Sequence, residues 1–231
     1  MMLLNFFFGV YPYLCLAVFL LGSLLRFDRE QYTWKADSSQ LLDRKNLRLA
    51  SNLFHVGILA LFGGHFVGLL GPHWLWTSLG FSDVGHQNVA ITAGTVFGIT
   101  CMIGGVMLWR RRMFNPRIRA VTRRMDIVIL DWLLLTLALG LATVPVSIYH
   151  SMHGDASTML ALSAWCKSVV TFSADPQLVS GVNFIFKLHL FSGLTLFLLF
   201  PFSRLVHIWS APIGYLNRPY QVVRSKYVKT Q

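Results

Sequence analysis

Eight histidines punctuate this chain, and their chemistry depends on where they fall. His73, His86, His150 and His153 lie in connecting stretches, where a solvated imidazole needs no special partner. His55, His65, His189 and His207 sit inside long runs of apolar side chains. A buried polar group left without a hydrogen bond costs about 1–3 kcal/mol, so four imidazoles in such surroundings need something to bind. Imidazole nitrogen is a common metal ligand, and ionisable residues within an apolar span are functional candidates by default. Two imidazoles on one haem iron fill both axial positions, which makes a carrier of electrons rather than a binder of gas. The competing reading is four packing histidines bonded to backbone or to Ser and Thr.

The elements that must place these rings follow from composition. The 231 residues are 55% hydrophobic and 13% charged, against about 25% charged in a soluble domain. Apolar stretches near 6–25, 49–70, 89–109, 126–149 and 182–209 are separated by polar connections. Each reaches the roughly 20 residues needed to cross about 30 Å of hydrocarbon. A lone strand would leave its backbone unpaired in lipid, so the expected fold class is all-α, a five-helix transmembrane bundle. One membrane domain is expected over 1–231, with a tail at 210–231 and a short interfacial helix within 156–172. No basic leader precedes the first apolar run, so that run is expected to remain as an anchor.

Charge orients the bundle. Residues 26–48 hold six Lys and Arg, 71–88 none, 110–124 seven, 150–181 only Lys167, and the end from Arg204 onward five. Rich and poor connections alternate, and the rich ones face the cytoplasm. The N-terminus is therefore expected to be periplasmic and the C-terminus cytoplasmic. Orientation and contact with anionic membrane lipids account for the net charge of +11 without nucleic acid as a partner. Cys15, Cys101 and Cys166 stand singly, with no C-x-x-C-H for covalent haem and no metal-type spacing.

Orientation also pairs the histidines. The second span starts inside, which makes His55 inner and His65 outer; the fifth starts outside, which makes His189 outer and His207 inner. His55 with His207 would hold an inner haem, and His65 with His189 an outer one. The ten residues between His55 and His65 rise about 15 Å, and the eighteen between His189 and His207 about 27 Å. With tilted helices the irons would lie roughly 20 Å apart. Eighteen residues are five whole turns, so a continuous fifth helix would show His189 and His207 on one face. Pro201, between them, lacks an amide and is expected to bend the span. Gly57, Gly63, Gly64 and Gly68 crowd the second span and would let a flat macrocycle approach the backbone. Helix packing through Gly64-x-x-x-Gly68 and Gly94-x-x-x-Gly98 is the rival explanation. Arg204, near His207, could pair with a haem propionate or snorkel to headgroups.

Several strings in the chain resemble one family. LASNLFHVGILALFGGHF (49–66), FIFKLHL (184–190) and LFPFSRLVHIW (199–209) resemble the cytochrome b, or gamma, subunit of bacterial respiratory nitrate reductase. The likeness extends to FFFGVYPYL (6–14), QYTWKADSSQLLDRK (31–45) and PHW (72–74), and so to nearly the whole chain. The resemblance implies a bacterial inner-membrane anchor for anaerobic nitrate respiration and assimilation, carrying two haem b groups. His55 and His207 would hold the proximal haem, and His65 and His189 the distal one. It also implies quinol oxidation (menaquinol or ubiquinol) near the distal haem. Electrons then pass to a cytoplasmic iron–sulfur (beta) subunit and on to a molybdenum (alpha) subunit that reduces nitrate. The family's basic residue near the quinol is usually lysine, and this position aligns with His86, in HQN (86–88). A histidine there could bond a quinol hydroxyl or accept its proton. Gly64, beside His65, would give quinol room.

The connection 26–48, with Tyr32 and Trp34, and the tail 208–231 are the expected docking segments for the soluble subunits. Two other readings stand beside this one: a haem b anchor of a formate dehydrogenase or hydrogenase, and a small transporter whose histidines relay protons.

Overall fold

The computed structural model describes residues 2–34 and 46–210. Among these residues every regular element is helical, and five spans are long and apolar enough to cross a membrane: Met2–Arg29, Leu47–Leu70, Asp83–Phe114, Arg124–Met152 and Phe184–Phe202. The first four overrun their apolar stretches, because a helical ladder once formed continues at little cost into flanking polar residues. The third span thus carries Arg111 and Arg112 in its last turn. It starts where the Ser82 hydroxyl accepts the Gly85 amide and stops at Asn115, held extended before Pro116. A helix also forms at Ser157–Val170. Residues 35–45 and 211–231 lie outside the described residues, and most of the expected docking segments lie there with them.

Two spans contain π-helical stretches whose freed carbonyls are taken by side chains. In the first, Phe6–Val10 precedes Pro12, which has no amide to give the Phe8 carbonyl. The buried Trp165 indole donates to that carbonyl instead, at 2.9 Å. In the second, Phe66–Leu70 follows His65 directly, and Ser163 donates to the Leu69 carbonyl at 2.7 Å. Both donors come from Ser157–Val170, so this short helix ties the spans together at the His65 end. Phe8, Trp165, Val169, Val179, Val182 and Phe186 form a buried apolar cluster there.

The spans are arranged as an open arc. The second packs on the third, the third on the fourth, the fourth on the fifth and the fifth on the first. The second and third approach at backbone distance: a Cβ added at Gly57 would lie 2.6 Å from Cys101 Cβ, and one at Gly104 would strike the Phe54 amide. Gly57 therefore serves helix packing rather than room for a macrocycle. By contrast, a Cβ at Gly64 or Gly94 would meet nothing within 4 Å, whereas one at Gly98 would lie 2.7 Å from Leu141 Cδ2, so of the Gly94-x-x-x-Gly98 pattern only Gly98 is where helices touch. Leu59, Phe62 and Phe66 of the second span are more than half exposed, as befits a face turned to lipid.

The fifth span differs most from expectation. Its α-helix ends at Leu199, a 3-10 turn covers Phe200–Phe202, and Ser203 is fully extended (φ −116°, ψ 177°). A second 3-10 stretch, Arg204–Ile208, carries His207. Pro201 therefore ends the helix rather than bending it. His189 and His207 do not share a helix face, and the spacing of five whole turns has no bearing on where His207 points.

Candidate functional site

The second and fifth spans face each other across the inside of the arc, and the four histidines meet there in two pairs. His55 and His207 face each other with ring centroids 6.5 Å apart and planes at 67°. His65 and His189 do so at 6.0 Å and 47°. Two imidazoles sharing one metal, each nitrogen about 2.0–2.1 Å from it, have centroids about 6.3 Å apart. Both pairs match that separation. Edge-packed rings elsewhere in the protein, such as Trp76 and Phe81 at 6.1 Å, span the same range, so it is the ring nitrogens that separate the two arrangements.

The protonation pattern is the same at all four positions. Nδ1 of His55 donates to the Ser51 carbonyl at 2.7 Å, and Nδ1 of His65 to the Leu61 carbonyl at 2.7 Å. Nδ1 of His189 donates to Thr136 O at 3.1 Å, and Nδ1 of His207 to Arg204 O at 2.5 Å. A carbonyl only accepts, so each Nδ1 carries the proton and each Nε2 keeps its lone pair. Metal-ligating histidines are oriented in this way, with the second nitrogen anchored to a carbonyl. Among the described residues no three His, Cys, Asp or Glu side chains converge as a bare metal ion would need. Two facing imidazoles per level are a donor set that would fit the two axial positions of a haem, which brings the remaining ligands itself.

Space is present on the second span. Added Cβ atoms at Gly63 and Gly64 would meet nothing within 4 Å, and the same holds for Gly193, one turn beyond His189 on the fifth span. Gly140 of the fourth span does the opposite. A Cβ there would lie 2.9 Å from His189 Cε1, so the missing side chain is what lets that ring lie against the helix. Thr136, whose carbonyl orients His189, also bonds Ser192 through its hydroxyl. Gly140 and Thr136 lie on a span without a ligand histidine, and only their proximity to His189 marks them.

At the His65 end a cleft opens among Gly68, His73, Trp76, Asp83, His86 and Lys167. His86 is buried at 7% exposure and stacks on Trp76, centroids 3.7 Å apart and planes at 16°. His73 Nε2 lies 3.0 Å from Asp83 Oδ1 at the rim. His86 is thus a wall of a cleft rather than a solvated loop residue. Gly64 does not line this cleft. Trp76 and Lys167 do, and nothing in their sequence surroundings pointed to them. At the His55 end a second cleft contains Arg26, Thr33, Arg123, Asp126, Ser203 and Arg204. Arg112 and Asp126 form a largely buried ion pair nearby, 3.0 Å apart.

Comparison with known proteins gives the lineage. Residues 4–226 match the family described as nitrate reductase gamma subunit. The chain is 55% identical to the respiratory nitrate reductase 1 gamma chain of Escherichia coli (strain K12), over 96% of this chain and 97% of that one. It is 47% identical to the respiratory nitrate reductase 2 gamma chain of the same strain, over 96% of each chain. Identity to the nitrate reductase gamma chain of Bacillus subtilis (strain 168) is 38%, over 94% of this chain and 96% of that one. Five apolar spans and this full-length likeness lead to one conclusion: the chain belongs to the nitrate reductase gamma subunit family, and is a membrane subunit of a respiratory nitrate reductase.

Proposed function

We propose that this subunit holds two haem b groups and oxidises quinol, delivering electrons across the bacterial inner membrane. His65 and His189 would hold the distal haem on the periplasmic side, and His55 and His207 the proximal one on the cytoplasmic side. The receivers would be the iron–sulfur (beta) subunit and, beyond it, the molybdenum (alpha) subunit where nitrate is reduced. The observation that carries this reading is the shared geometry of the four imidazoles. They face in two pairs at a separation that one metal ion could bridge, and every Nδ1 is tied to a carbonyl so that every Nε2 keeps its lone pair.

When bound between two imidazoles, haem b takes up and releases single electrons with no position open to oxygen. The protein's part is to hold and orient. The Ser51, Leu61, Thr136 and Arg204 carbonyls fix the ligand rings in one tautomer. The small cleft that Gly68, His86 and Trp76 line, on the His65 end of the second span, is the candidate quinol site. His86 is placed to accept a hydroxyl proton, and Trp76 keeps its ring upright by stacking. The His73 and Asp83 pair at the rim offers that proton a way to the periplasm. At the other end Arg204 lines the cleft near His207 and would meet a propionate. Protons released outside while electrons move inward separate charge, worth about 2.3 kcal/mol per elementary charge per 100 mV. The alternation of lysine and arginine along the chain supports this orientation.

The test is a potentiometric titration of the haem b spectrum in the assembled complex, wild type beside His65→Ala and His207→Ala. Each variant is expected to lose a different haem. Loss of the same haem in both would overturn the pairing. Absence of any haem b absorption from the wild type would overturn the haem reading.

A further inference from the structure

The first span carries no ligand histidine, yet its C-terminal end grips the segment that carries one. Beyond Leu199 the fifth span loses its α-helical ladder, and two carbonyls at the break, those of Pro201 and Ser203, meet a side chain of the first span. The Arg26 guanidinium donates to both: Nη1 reaches Pro201 O at 2.6 Å and Ser203 O at 2.8 Å. Its Nη2 donates to the Thr33 carbonyl at 3.0 Å, which ties the chain after the first span into the same knot. Other contacts converge here. A Cβ at Gly22 would lie 2.8 Å from Pro201 Cγ, so the first span touches the break at backbone distance. Phe19 stacks on Trp209, centroids 5.4 Å apart, and the Trp34 indole donates to the Ser210 hydroxyl at 2.6 Å.

We infer that Arg26 is a positioning residue for the His207 imidazole, acting through the broken end of the fifth span. The inference rests on His207 being a ligand, as proposed above. His207 lies four residues past Ser203 in a short 3-10 stretch whose own bonds are local: Leu205 N donates to Ser203 Oγ, and His207 Nδ1 to Arg204 O. Such a stretch has no long ladder to fix its direction, so the direction is set where its root is held. Arginine suits the task because one planar, permanently charged fork can serve several carbonyls at once. Lysine keeps the charge but not the fork.

That difference separates positioning from membrane orientation, which any cation at this end would serve. The experiment compares Arg26→Lys, Arg26→Ala, Gly22→Val and His207→Ala in the assembled complex. Haem content, the midpoint potentials and the low-spin haem g-values are read for each. Arg26→Lys and Gly22→Val are expected to shift the proximal haem's g-values and potential while leaving the distal haem unchanged. Arg26→Ala is expected to lower proximal haem content several-fold. If Arg26→Ala does not accumulate, Arg26→Lys decides. A wild-type proximal signal in Arg26→Lys, with His207→Ala still losing one haem, overturns the inference alone. Retention of both haems in His207→Ala removes the ligand reading, and the inference with it.

Discussion

Gly140→Ala adds a single methyl group on a span without ligands, and its effect can be worked from the geometry. The new Cβ would lie 2.9 Å from His189 Cε1 and 3.4 Å from both ring nitrogens. Ordinary carbon contacts fall at about 3.5–4.0 Å, so the ring or the helix must retreat by about 0.6 Å or more. A metal–imidazole bond tolerates about 0.2 Å. The ring is also held by the Thr136 carbonyl at 3.1 Å, which limits a sideways escape. Overpacking of this kind costs about 1–3 kcal/mol. At 1.4 kcal/mol per tenfold, haem binding at the His65 and His189 level should weaken by about 5- to 150-fold. The assay is haem per protein together with a potentiometric titration that resolves the two haems. The distal signal should fall or shift and the proximal one stay. Gly181→Ala, whose Cβ would meet nothing within 4 Å, is the control. Wild-type content and potential for both haems in Gly140→Ala would refute the reasoning. A change confined to the proximal haem would place His189 at the wrong level.

Three further outcomes are expected. Gly57→Ala would put a Cβ 2.6 Å from Cys101 Cβ and 2.7 Å from its amide nitrogen. Backbone cannot yield as a side chain does, so the second and third spans should separate at a cost of about 1–3 kcal/mol, read as a lower unfolding temperature in detergent with both haem signals reduced. Arg112→Ala removes an ion-pair partner 3.0 Å from Asp126, whose side chain is 10% exposed. It should destabilise by about 3 kcal/mol in chemical denaturation, and Asp126→Asn in the same background should recover part of that loss. Burial pushes the Cys166 thiol up to about 12. At pH 8 its thiolate fraction is then on the order of a thousandfold below that of a free cysteine. Iodoacetamide should leave Cys166 unlabelled until the chain is denatured, and quick labelling in intact membranes would count against this packing.

Helices and histidines differed in how far they could be read ahead. Spans are legible because hydropathy is local: a run such as 126–149 needs no knowledge of its neighbours to enter lipid. That His55 would face His207 and His65 face His189 was legible too, since spans that alternate in direction leave few ways to pair rings. The continuity of the fifth span was not. Pro201 signals a disturbance, but whether it bends a helix or ends it depends on what meets the carbonyls at the break. Arg26, 175 residues away, does so. The glycines show the same limit. Gly57 and Gly64 look alike in sequence, yet one lies against Cys101 and the other faces open space.

What the sequence by itself determined is an all-helical chain with five membrane-length spans and imidazoles at two depths. Those properties follow from one-dimensional patterns of apolar length and residue position. Only the tertiary structure decided that the imidazoles face each other in two pairs with every Nδ1 tied to a carbonyl. The same is true of His189 lying against Gly140, His86 walling a cleft with Trp76, and the first span gripping the root of His207. These depend on which helix faces meet. Helix contact is governed by short-range packing between residues far apart in the chain, which no local pattern encodes.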